Sequence, residues 1–291
     1  MPYTRIILFL CCLWPINIFA TPILVETSWL ASQLGNKNVA IIDMSDSMQY
    51  SRFHIPGARH LPYNAINQIT RKQVSLSIGS QNIAKVMTQL GIRADMHIVL
   101  YDDIGGLNAS RLFWELERLG HQKLSILDGG LVKWILEGRK VVARHTTYPK
   151  TTYRPSLKNG HDNLATLNEI SADKPDRVLL DVRSREEYTG HPRQKISGHI
   201  PGAKWWHWED NVNFEKSFQI KSKSELENRL SGLGLNNKQQ DIIVYCRSGH
   251  RASHSYFILR QLGFTKVRLY DGSMAEFSQY KPTSLKKGPQ P

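Results

Sequence analysis

His54-Ile55-Pro56-Gly57-Ala58 returns in the second half of the chain as His199-Ile200-Pro201-Gly202-Ala203. Other pieces repeat in the same order. Ile41-Ile42-Asp43 matches Leu179-Leu180-Asp181, and Val99-Leu100-Tyr101 before Asp102 matches Ile243-Val244-Tyr245 before Cys246. Asp128-Gly129-Gly130 is answered by Asp271-Gly272-Ser273, and Trp134 by Phe277. The chain is therefore two homologous halves, the second with extra residues around Thr189 to Ile196. Within each half, short β-rich runs alternate with helical segments such as Ala109 to Leu119, which predicts an α/β unit with a mostly parallel sheet flanked by helices. The expected division is 1–20 as an export signal, 21–148 as the first unit, 149–160 as a polar linker containing Pro149 and Pro155, and 161–291 as the second unit.

The 291 residues suffice for about two domains of ordinary size, each with its own core. Apolar content of 41% and charged content of 22% fit a globular chain, and no run after residue 20 approaches a membrane span in length. A formal net charge of +13 attracts anions of many kinds. The basic residues are scattered, apart from Lys281, Lys286 and Lys287, and no nucleic-acid module accompanies them, so no nucleic-acid partner is expected.

Arg5 precedes an uncharged stretch from Ile6 to Ala20 that ends on a small residue, the order of a secretory signal peptide. This predicts export, most simply to a periplasm, with no stable membrane span in the mature chain. Cys11 and Cys12 would leave with the signal, so Cys246 would be the sole remaining thiol. A single unpaired cysteine in an exported chain suggests a thiol kept for its reactivity.

Tyr245-Cys246-Arg247-Ser248-Gly249-His250-Arg251-Ala252 carries the chemistry. Ile242 to Tyr245 reads as a buried strand and Ala252 to Leu262 as a helix, so Cys246 lies on the turn between them. Such a turn aims backbone N–H groups at one point. A helix N-terminus and cationic neighbours favour the thiolate form of a cysteine there.

With the paired Asp…His-Ile-Pro-Gly-Ala elements, the Asp-Gly-Gly/Ser segments and the cysteine loop, the chain resembles a tandem rhodanese of the thiosulfate/3-mercaptopyruvate sulfurtransferase family over nearly all of residues 24–280. The resemblance implies two rhodanese domains, of which only the second is catalytic. The first half agrees by itself: Asp102 stands at the cysteine position, and a carboxylate cannot accept sulfur. The implied reaction moves a sulfane sulfur from thiosulfate or 3-mercaptopyruvate to cyanide, a small thiol or a protein thiol through a persulfide on Cys246. Arg247, Ser248, Gly249, His250, Arg251 and Ala252 would bind the donor and the persulfide, the backbone amides as an oxyanion-hole analogue. Arg183 matches an arginine that relatives use for substrate, while Asp181 braces its turn, and one of Trp205, Trp206 and Trp208 is a candidate pocket wall. The loop departs from familiar two-domain members at His250-Arg251, where a small or aliphatic pair is common, and this leaves the preferred donor open.

Two other classes share a thiolate in an anion-binding loop. Four residues separate Cys246 from Arg251, one fewer than in the common cysteine-phosphatase signature, which argues against a phosphatase or arsenate reductase. A non-enzymatic persulfide carrier or redox sensor would show the same cysteine, and only turnover separates it from an enzyme. No cofactor is expected and no metal, since neither zinc-type Cys/His spacing nor a glycine-rich phosphate loop is present.

Overall fold

The computed structural model describes residues 21–156 and 160–291, so the expected signal at 1–20 lies outside the described residues. The first half runs β1 (Leu24–Val25), α1 (Thr27–Ser32), β2 (Val39–Asp43), α2 (Ser47–Arg52), β3 (Ala58–His60), β4 (Asn67–Ile69) and β5 (Ser75–Ser77). It continues with α3 (Ser80–Gln89), β6 (His97–Tyr101), α4 (Leu107–Arg118), β7 (Leu124–Leu127) and α5 (Gly130–Leu136). The second half repeats the order: β8 (Leu164–Ala165), α6 (Leu167–Ser171), β9 (Arg177–Asp181), α7 (Arg185–Thr189), β10 (Lys204–Trp205), β11 (Val212–Asn213) and β12 (Gln219–Ile220). Then follow α8 (Lys223–Gly232), β13 (Asp241–Tyr245), α9 (His250–Gln261), β14 (Val267–Tyr270) and α10 (Ser273–Tyr280).

Each half builds a five-stranded sheet, in order β1-β7-β6-β2-β3 and β8-β14-β13-β9-β10, with every pairing parallel. Strands buried on both faces need continuous apolar runs, which Ile98-Val99-Leu100 and Ile242-Ile243-Val244 supply. The repeated pentapeptide is a lock between strand and helix. His54 Nδ1 donates to the Tyr50 carbonyl (2.8 Å) and its ring stacks on Tyr50 at 3.8 Å, while the Ile55 N–H meets the Tyr101 hydroxyl at 3.1 Å. His199 does the same to Tyr188 (2.8 Å, stacked at 3.9 Å), and the Ile200 N–H meets Tyr245 at 3.1 Å.

The halves share one core across α4 and α9, where Phe113 and Phe257 meet edge to face at 5.1 Å. Each such fully buried side chain contributes about 1.5–3 kcal/mol. Polar contacts cross in reciprocal fashion. Asp128 accepts the Ile220 N–H (2.8 Å) from the β11–β12 hairpin, and Asp271 accepts the Ser77 N–H (2.8 Å) from the β4–β5 hairpin. The expected linker is not a free tether: Thr151 Oγ1 donates to the Ile92 carbonyl (2.5 Å), and buried Tyr153 meets His121 Nδ1 at 3.0 Å.

Candidate active site

β13 delivers Cys246 to the carboxyl end of the sheet, where open α/β sheets place their ligands. Cys246 is buried and free. Gly249 turns the chain into α9 with φ of 77°, a left-handed conformation that glycine adopts without strain. A Cβ at Gly249 would also lie 2.7 Å from Asp271 Oδ1 and 3.0 Å from Arg111 Nη1, so the loop sits directly on the ion pair that Arg111 makes with Asp271 across the halves (2.6 Å).

The loop is stitched to the start of α10. Ser273 Oγ accepts the N–H groups of Cys246 and Gly249, both at 3.1 Å, and donates to the Tyr270 carbonyl at 2.8 Å. The Cys246 carbonyl accepts from Met274 N (3.1 Å) and the Arg247 carbonyl from Ala275 N (2.9 Å). Ser273 itself has φ of 48°, matching Gly130 at 50° in the first half. The N–H groups of Arg247, Ser248, His250, Arg251 and Ala252 donate to no protein acceptor among the described residues.

The first half shows what such a loop holds. Asp102 occupies the place of Cys246, and its carboxylate takes four amides: Ile104 (3.0 Å) and Gly106 (2.8 Å) on Oδ1, Asn108 (2.7 Å) and Ala109 (3.0 Å) on Oδ2. Burial pushes the Asp102 pKa up, against the pull of those amides. The same turn thus cradles an anion in one half and presents unused donors beside Cys246 in the other.

A cleft of about 650 Å³ opens beside the loop, walled by Arg247, Ser248, Arg183 and Glu187, with Gln73 and Ser75 contributed by the first half. Arg247 is exposed and makes no ion pair among the described residues. Arg251 is clamped by Glu187 through two bonds, 2.6 and 3.0 Å. Burial opposes ionisation of Glu187, yet the Arg251 guanidinium holds its pKa below the usual range. Arg183 spends Nε and Nη2 on Asp181 (2.9, 3.1 and 2.5 Å) and the Gly198 carbonyl (2.8 Å), leaving Nη1 for the cleft. Asp181 braces this turn as expected, accepting the Arg183 N–H at 3.1 Å.

The remaining candidates have partners of their own. The His250 side chain stacks on Tyr63 at 3.9 Å and donates through Nε2 to Asn108 Oδ1 at 2.8 Å, both from the first half; burial, with Arg111 and Arg251 nearby, drops its pKa to about 3. None of Trp205, Trp206 and Trp208 lines the cleft. Trp205 donates to the Arg183 carbonyl (2.9 Å), Trp206 is fully buried, and Trp208 packs edge-on against His254 at 5.4 Å, so all three serve packing. Sequence reasoning missed Ser273 and Glu187; the Gly130-to-Ser273 difference within the repeat was the available signal for the first. Among the described residues no cluster of His, Cys, Asp and Glu could hold a metal ion, and no helix is long and apolar enough to cross a membrane.

Comparison with known proteins gives the family. The rhodanese-like domain family matches residues 26–137 and 163–280. The sulfur carrier protein TtuD of Thermus thermophilus is 33% identical over 281 residues, covering 91% of this chain and 97% of that protein. The thiosulfate sulfurtransferase of Azotobacter vinelandii is 27% identical over 277 residues, covering 91% and 97%. Among solved structures, SseA of Escherichia coli, a 3-mercaptopyruvate sulfotransferase, superposes with a TM-score of 0.77 at 25% identity, covering 87% of this chain and 99% of that one.

Proposed function

The chain belongs to the rhodanese family, and from that premise we propose that it is a sulfurtransferase whose Cys246 carries sulfur from a small anionic donor to a thiol or cyanide. The observation that carries this reading is the set of unused amides beside Cys246, at the place where the first half holds the Asp102 carboxylate. The thiolate attacks the outer sulfur of thiosulfate, the S–S bond breaks, and sulfite leaves with the bonding pair. With 3-mercaptopyruvate the C–S bond breaks instead, and the enolate takes a proton to become pyruvate. Either route leaves a persulfide anion on Cys246 within reach of the amides. Arg247, exposed and unpaired, receives the donor's anionic group, and Arg183 Nη1 supplies a second contact. An acceptor nucleophile then takes the outer sulfur and restores the thiolate. Such double displacement requires no further group.

A carrier role is supported by the name of the Thermus thermophilus relative. The two readings separate on turnover. Steady-state kcat/KM for thiosulfate and 3-mercaptopyruvate, each with cyanide and with a small thiol, is expected to show repeated transfer and to identify the donor. Stoichiometric loading without turnover on any pair would favour the carrier. Export is part of the same proposal, with cleavage after Ala20, and N-terminal sequencing of envelope protein tests it: Thr21 first supports it, and Met1 on cytosolic protein contradicts it.

A further inference from the structure

Another cavity, about 510 Å³, lies on the first half and shares no residue with the cleft beside the cysteine loop. Its apolar walls are Val39, Ile41, Pro56 and Met96, and Tyr148 and Pro149 close it. The charged residues lining it are Lys37, Arg59 and Arg93, with no carboxylate among them. Volumes of this size suit small organic ligands.

Arg59, on β3, is only 6% exposed. Nε donates to the Leu90 carbonyl at the end of α3 (2.8 Å), and the guanidinium lies over the Tyr148 ring at 3.5 Å. Its terminal nitrogens donate to no protein acceptor and meet no carboxylate among the described residues. They are not sealed either, so they open toward the cavity that Arg59 lines. The repeat shows what the position requires. Lys204 stands there in the second half and donates to the corresponding carbonyl, Leu233, at 2.5 Å. One donor is therefore enough to close the helix end, where a cation also suits the dipole. The guanidinium's second edge is surplus to that duty. The corresponding cavity of the second half, around Pro201 and Gly202, does not include Lys204.

We propose that this cavity binds a small aromatic carboxylate, with the carboxylate on the terminal nitrogens of Arg59 and the ring between the apolar walls. A planar carboxylate matches the guanidinium fork of Arg59; Arg93 is already paired with Asp95 (3.0 Å), so Arg59 and Lys37 supply the charge selection while the walls select for an apolar body. Tyr148 is already fastened to the first half, its hydroxyl donating to the Gly57 carbonyl at 2.8 Å, so this wall is in place before an occupant arrives.

Isothermal titration calorimetry of the full protein with 2-naphthoate tests this. The expected result is one saturable site, weakened at least tenfold in Arg59→Lys, which keeps the Leu90 bond as Lys204 keeps its own, and weakened severalfold in Lys37→Glu on the exposed rim. Neutral 2-naphthamide should bind at least tenfold more weakly, and Cys246→Ser should bind 2-naphthoate like wild type. Absence of saturable binding, wild-type affinity in both charge variants, or loss of binding in Cys246→Ser would overturn the proposal.

Discussion

Ser273→Ala removes the acceptor that organises the cysteine loop. In the structure one buried hydroxyl receives the Cys246 and Gly249 N–H groups at 3.1 Å each and gives its proton to the Tyr270 carbonyl. Without it two buried donors lose their partner, at about 1–3 kcal/mol each, with partial relief as the loop shifts. A net loss of about 2–4 kcal/mol is expected, visible in urea denaturation. The shift also moves the neighbouring amides that face the persulfide, so kcat/KM should fall about tenfold to a hundredfold even in the folded fraction. Ser273→Gly is the informative companion. It loses the same bonds but relaxes the left-handed backbone at φ of 48°, as Gly130 does at 50°, so it should be more stable than the alanine variant by about 1 kcal/mol while equally impaired. An alanine variant with wild-type kcat/KM and stability would refute the role assigned to Ser273.

Arg247→Ala should lower kcat/KM for anionic donors about tenfold to a hundredfold, whereas Arg251→Ala should cost less because Glu187 already holds that guanidinium; equal losses in steady-state kinetics would contradict this assignment. Asp102→Asn turns an amide NH2 toward N–H donors, and a loss of about 2–4 kcal/mol should appear in chemical denaturation, with no loss meaning that the cradle is not filled by charge. Burial lowers the His254 pKa from 6.5 to about 4, so the folded state binds fewer protons than the unfolded chain between those values. Its contribution is present above pH 6.5 and lost as pH falls toward 4, with a slope of up to about 1.4 kcal/mol per pH unit; His254→Gln should flatten the urea-midpoint profile in that window, and an unchanged slope would refute it.

The architecture was legible because its requirements are local and doubled. The two His-Ile-Pro-Gly-Ala segments need the same tyrosine carbonyl and hydroxyl partners in each half, so the packing demand is written twice. Cys246 was legible because strand, turn and helix signals converge on it within a few residues. Ser273 and Arg111 were not, since their roles depend on chain brought together from far along the sequence. The partners of His250 were hidden for the same reason, because Tyr63 and Asn108 come from the other half. The tryptophans after the second Pro-Gly-Ala element carried a pocket expectation that only burial could correct.

The central claim is that sulfur resides on Cys246, and intact-protein mass spectrometry measures that directly. Wild type incubated with thiosulfate or 3-mercaptopyruvate should gain the mass of one sulfur atom, lose it when cyanide or a thiol is added, and gain nothing when Cys246→Ser replaces it. Equal sulfur gain by the serine variant, or no gain by wild type with either donor, would contradict the account.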